Sequence, residues 1–138
     1  MKQTHIDRLL KLADHLEHGQ LGHQVFDFNS YNTGQNGKSH HAPSCGYAGC
    51  AIGECPVIFS EWRYDLQGWP YLPGHESIIS IQVFFGLNWA SADHLFMPNS
   101  QEPSDFGGKH LSVGATKEQV AANIRAFVAL KLPTVEKD

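Results

Sequence analysis

SHHAPSCGYAGCAIGECP, residues 39–56, holds all three cysteines of the chain and two of its nine histidines. Pro43 and Ser44 lead into Cys45. Small residues (Gly46, Ala48, Gly49, Ala51, Gly53) then alternate with larger ones. That texture predicts a tightly packed helical segment opening at Ser44, in which Gly46, Gly49 and Gly53 let a second backbone approach closely. The expected fold is mainly α: a single compact helical domain over residues 1–138, its first and last helices packed around residues 45–53. Long irregular loops and room for one short strand pair complete it. The alternative is an α+β, papain-like arrangement with Cys45 at a helix start.

The helices flanking this stretch have the stronger signals. In residues 4–18, Ile6, Leu9, Leu10, Ala13 and Leu16 recur at the spacing of one helical face, and Gly19 ends the run. Thr4 with Asp7 makes a plausible N-cap pair, and His15 and His18 fall in the last turn, where exposed histidines suit the helix dipole. In residues 116–131, Thr116 and Gln119 form a capping box. Val120, Ile124, Phe127 and Val128 draw one apolar stripe, and Pro133 follows the end. Between these helices, Val25, Phe26, Phe28 and Tyr31 anchor an irregular piece. Residues 67–75 (QGWPYLPGH) form an aromatic loop stiffened by Pro70 and Pro73. Residues 76–85 mix β-branched side chains (Ile78, Ile79, Ile81, Val83), which favour a strand, with a helical repeat (Ser77, Ile81, Phe85), so strand and helix both stay open on the residues alone. Asn88 then caps a short helix that Pro98 stops.

The run CGYAGCAIGECP, with FFGLNWASADHLF and ATKEQVAANIRAF after it, resembles a loose group of small bacterial and phage proteins. Those proteins carry a CGT-x-AC-x-x-G core motif, an FFGL segment leading into a helix that ends in LF, and a closing AT-x-x-x-VA-x-x-I helix. Tyr47 and Gly49 depart from the usual small residues. The resemblance implies helix over residues 76–85 and one compact domain in a bacterial or phage setting, and it carries no catalytic residue with it.

Composition narrows the function classes. A chain of 138 residues, 41% of them hydrophobic, suffices for one core. A net charge of -4 with scattered basic residues lacks the footprint of a nucleic-acid binder. The N-terminus has no apolar signal core and no run is long enough to span a membrane, so a soluble cytoplasmic protein with reduced thiols is expected. GQNGKS in residues 34–39 is no phosphate loop, because Asn32 stands where its first glycine belongs. Gly86 could turn a helix-turn-helix, but its second helix has no Arg or Lys to meet DNA.

Three readings of the chemistry follow. Cys45 at a helix start could be a nucleophile, with His75 as its base and Asn88 orienting the imidazole, as in a papain-like thiol hydrolase. His40, His41, Cys45 and Cys50 have metal-ligand chemistry. Yet cysteines five residues apart on one helix step about 140° around it and cannot converge. The preferred reading is an accessory protein that binds a protein partner through Trp62, Trp69 and Tyr71, without turnover, nucleic acid or cofactor.

Overall fold

The structure is a computed structural model, and it describes residues 1–23, 25–28, 48–98 and 106–137. The first helix, α1 (Gln3–His18), turns Ile6, Leu9, Leu12, Ala13 and Leu16 fully inward, while Leu10 packs at the margin of the core. Leu12 thus joins the face that the sequence pattern draws without it. The expected Thr4–Asp7 cap does not form. The N-cap is instead Lys2, two residues earlier, whose N–H donates to His5 Nδ1 at 3.1 Å. Asp7 instead accepts from Gln3 Nε2 at 2.8 Å, one turn back on the same face.

The last helix (Lys117–Lys131, α5 below) starts on the expected box: Thr116 Oγ1 accepts from Gln119 N–H at 3.2 Å, and Gln119 Oε1 accepts from Thr116 N–H at 2.8 Å. Val120, Ala121, Ile124, Phe127 and Val128 are buried against α1, which is its main neighbour. Each of the Val, Ile and Phe side chains contributes roughly 1.5–3 kcal/mol on leaving water. Two polar ties fix the rotation of the pair. Arg125 donates to Glu17 at 2.5 Å and to Asp14 at 2.6 Å, and Lys117 Nζ donates to the Leu16 carbonyl at 2.8 Å.

From residue 48 on, the stretch around the cysteines enters the core as a strand and a turn rather than as a helix, and the expected helix start at Ser44 lies outside the described residues. Ala48–Gly49 (β2) pairs in parallel with Val25–Phe26 (β1), in the register Val25↔Ala48 and Phe26↔Gly49. Residues 51–54 turn, and only then does a short helix, α2 (Cys55–Ile58), begin, with Pro56 in its first turn. The physical reason lies in Gly49 and Gly53, weak helix formers, and in Pro56, which fits a helix only at its start. Cys50, Ala51, Ile52 and Cys55 are nevertheless buried.

The remaining elements wrap this centre. A two-stranded antiparallel hairpin, β3 (Arg63–Tyr64) and β4 (Pro70–Tyr71), precedes two helices, α3 (Ser77–Phe85) and α4 (Trp89–Phe96). The turn between them rests on Gly86 at φ 65°, where an added Cβ would also run into the His5 ring. Asn88 caps α4 as the sequence indicates, its Oδ1 accepting from Ser91 N–H at 2.8 Å. Residues 77–85 are helical with Glu76 as the extended N-cap, so their β-branched content is overridden by burial of Ile81, Phe84 and Phe85 on one side. Phe59, Trp62, Phe84 and Phe85 form an aromatic cluster, four of its pairs edge-to-face with centroids 4.8–6.1 Å apart and Trp62–Phe85 tilted at 6.4 Å. Arg8 stacks over Phe84 at 4.0 Å and donates to its carbonyl at 2.9 Å. Mainly helical architecture with short strand pairs is therefore the fold. Among the described residues no helix is long and apolar enough to cross a membrane.

Candidate functional site

The most buried charge of the described chain is a carboxylate that the sequence pattern passes over. Glu54, at the end of the cysteine turn, is 0% exposed. Its Oε1 accepts from His15 Nε2 at 2.7 Å and from Gly22 N–H at 2.8 Å. Its Oε2 accepts from His23 N–H at 3.0 Å and from His23 Nδ1 in a short bond. Burial alone would raise the pKa of this carboxyl. The bonds from His15, His23 and Gly22 outweigh that and hold its pKa down to about 2. With four donors converging, both oxygens are filled, so the group has no lone pair pointed at a substrate or ion. Glu54 is a structural clamp that joins the last turn of α1, the segment at 22–23 and the cysteine turn.

This overturns one sequence expectation and keeps another. His15 is not an exposed cap: its side chain is 9% exposed and buried against Glu54. His18, one turn on, is 76% exposed as expected.

Of the residues expected to carry thiol or metal chemistry, Cys45, His40 and His41 lie outside the described residues. Cys50 is buried, and desolvation pushes its thiol up to about 11. Cys55 is also driven well above the ordinary value, first by burial and then by the charges of Cys50 and Glu54. Both are therefore core thiols rather than nucleophiles. Among the described residues no three His, Cys, Asp or Glu side chains are placed to hold a metal. Asn88 spends its Oδ1 on the α4 cap, accepting from Ser91 N–H and from Ser91 Oγ, and its described bonds do not reach His75.

The aromatic residues separate by position. Trp62 is 3% exposed and stands edge-on to Phe84 at 5.6 Å, so it belongs to the core and is not a partner contact. Burial of neighbouring Phe59 and Phe84 on the same side draws it in. Trp69 is different, at 48% exposed. It sits at the end of the β3–β4 turn, which Asp65 builds: Asp65 Oδ1 accepts from Gln67 N–H at 2.8 Å and from Trp69 N–H at 2.9 Å. Asp65 N–H in turn donates to the Trp69 carbonyl at 2.9 Å, and Gly68 supplies the φ of 84° that the turn needs.

Trp69 and Tyr71 form walls of an open cleft of about 320 Å³, lined also by Asp65, His75, Glu76, Ser77 and Ile78. Its far side is pinned by serines. Ser77 Oγ donates to the Pro70 carbonyl at 2.5 Å, and Ser80 Oγ accepts from Leu72 N–H at 2.8 Å while donating to the Glu76 carbonyl at 2.8 Å. Hairpin and α3 are thereby locked together, and the cleft between them is preformed. His75, the expected base, is exposed in this cleft. A second surface cleft of about 350 Å³ runs past Arg8, Lys11 and Glu61. There the cations already lie over Phe84 and Phe59, and Arg8 reaches Glu61 at 3.9 Å.

No protein-family model matches the chain, and no curated protein or solved structure matches it.

Proposed function

We propose that this chain is an accessory protein of a bacterial or phage cytoplasm that binds a protein partner, without turnover of its own, through the cleft walled by Trp69 and Tyr71. The observation that carries the reading is Trp69 itself: a large aromatic, half exposed, on a turn whose geometry is fixed by Asp65. Such side chains dominate binding energetics where they can be desolvated, and a rigid mount lowers the ordering cost of docking. Thiol catalysis through Cys50 or Cys55 has weaker support, since both are buried with raised pKa values, and the expected nucleophile Cys45 lies outside the described residues.

The test is affinity capture from a bacterial lysate with the wild-type chain and Trp69→Ala in parallel, quantified by mass spectrometry. A protein recovered by the wild type and depleted at least several-fold with the variant is expected, with unchanged circular dichroism. Recovery of the same proteins by both baits, or of none alongside hydrolase activity that depends on Cys45, reverses the reading.

A further inference from the structure

We infer that the side chain received by the Trp69–Tyr71 cleft is cationic, a lysine or arginine on an exposed segment of the partner. The inference rests on the partner-binding reading above and adds the chemistry of the contact. Two carboxylates, Asp65 and Glu76, line the same cleft as the two aromatic rings, and among the described residues no Lys or Arg does. Neither carboxylate forms an ion pair with a described residue. Glu76 is also not spent on capping, since α3 begins without a side-chain cap bond.

The competing charge is small. The N-terminus of α3 starts at the cleft and contributes about +0.5 of a charge, against two full negative charges from the carboxylates. An anionic occupant is thereby disfavoured. A purely apolar one would place two carboxylates beside hydrocarbon and desolvate them without compensation. A guanidinium or ammonium group satisfies both features. The ring faces attract it, and the acids pair with it at the rim. Asp65 serves twice, since one oxygen holds the turn that mounts Trp69 while the other remains available for the cation.

The probes are four blocked tripeptides, acetyl-Gly-Xaa-Gly-amide with arginine, lysine, norleucine or glutamate in the middle. Each is titrated into ¹⁵N-labelled full-length chain while the Trp69 indole N–H and the amides of residues 65–78 are followed. The arginine and lysine peptides are expected to shift these resonances saturably, and added salt should weaken the effect. The norleucine and glutamate peptides should leave the resonances in place. Glu76→Gln and Asp65→Asn are each expected to weaken the arginine peptide by about two- to fivefold. Asn at 65 retains the oxygen that builds the turn, and unshifted resonances elsewhere verify the fold. Equal shifts from norleucine overturn the inference while leaving the partner-binding reading intact. Silence of the arginine peptide with capture still dependent on Trp69 likewise overturns the inference alone. Silence together with capture indifferent to Trp69→Ala overturns both.

Discussion

Glu54 shows how much one side chain can decide in a core of this size. It accepts from two imidazoles and two backbone N–H groups in a site with no water-exposed surface. Removing its charge leaves those donors facing an amide that is itself half donor. Glu54→Gln should therefore cost about 3–5 kcal/mol in urea unfolding, the usual loss when one partner of a buried charged cluster is removed. The exposed control His18→Ala should stay within about 0.5 kcal/mol. A Glu54→Gln chain within about 1 kcal/mol of wild type would show that the clamp is dispensable. The buried thiols give a second test at this scale. Because burial raises Cys50 to about 11 and lifts Cys55 well above its ordinary value, iodoacetamide at neutral pH should modify neither at an appreciable rate in the folded chain, and both on unfolding. Fast labelling of either would contradict their placement. The clamp was not readable from the sequence. Residue 54 meets residues 15 and 23 only through the fold, and a lone glutamate between Gly53 and Cys55 carries no local signal. The same pattern that makes His15 look like a helix cap fits His18 equally well.

At the level of elements, legibility follows how local the determining interactions are. The last helix was written almost entirely within sixteen residues: a box at Thr116 and Gln119, a stripe at Val120, Ile124, Phe127 and Val128, and both are in place. Thr116→Ala should accordingly cost about 1 kcal/mol by thermal melting, with Thr116→Ser nearly neutral. An equal loss for both would mean that the methyl, not the hydroxyl, matters. The α3–α4 corner was legible for the same reason, through Gly86 and Asn88. Gly86→Ala should destabilise more than a cap deletion does, because it meets both the φ of 65° and the His5 ring. The cysteine stretch misled because its pairing is remote. β2 finds β1 more than twenty residues back, and a two-residue parallel ladder leaves no alternation to detect. Trp62 and Trp69 are likewise indistinguishable by type. Only the packing of Phe59 and Phe84 separates a core indole from one at the rim of a cleft.

Over the whole molecule, the clamp at 54, and not the pairing of the ends, decides how folding responds to acid. Gln3 N–H donates to the Glu136 carbonyl at 3.0 Å and Glu136 N–H to the Met1 carbonyl at 3.0 Å, so the two ends of the described chain close on each other beside the α1–α5 pair. These backbone bonds do not titrate. Glu54 does, and its pKa falls from 4.5 to about 2 on folding. Between those values the unfolded chain binds a proton that the folded chain refuses. Stability therefore rises with pH across that window and is lost as pH falls through it. A shift of that size corresponds to a contribution on the order of 3 kcal/mol, fully present above about pH 5. Urea midpoints measured from pH 6 down to pH 2 should fall steeply below pH 4.5 in the wild type. Glu54→Gln, already less stable at pH 6, should have a visibly shallower acid limb, because the group responsible for most of the slope is gone. Parallel limbs for the two chains would assign acid sensitivity to the surface carboxylates instead, and would remove Glu54 from its place as the charge on which the folded state turns.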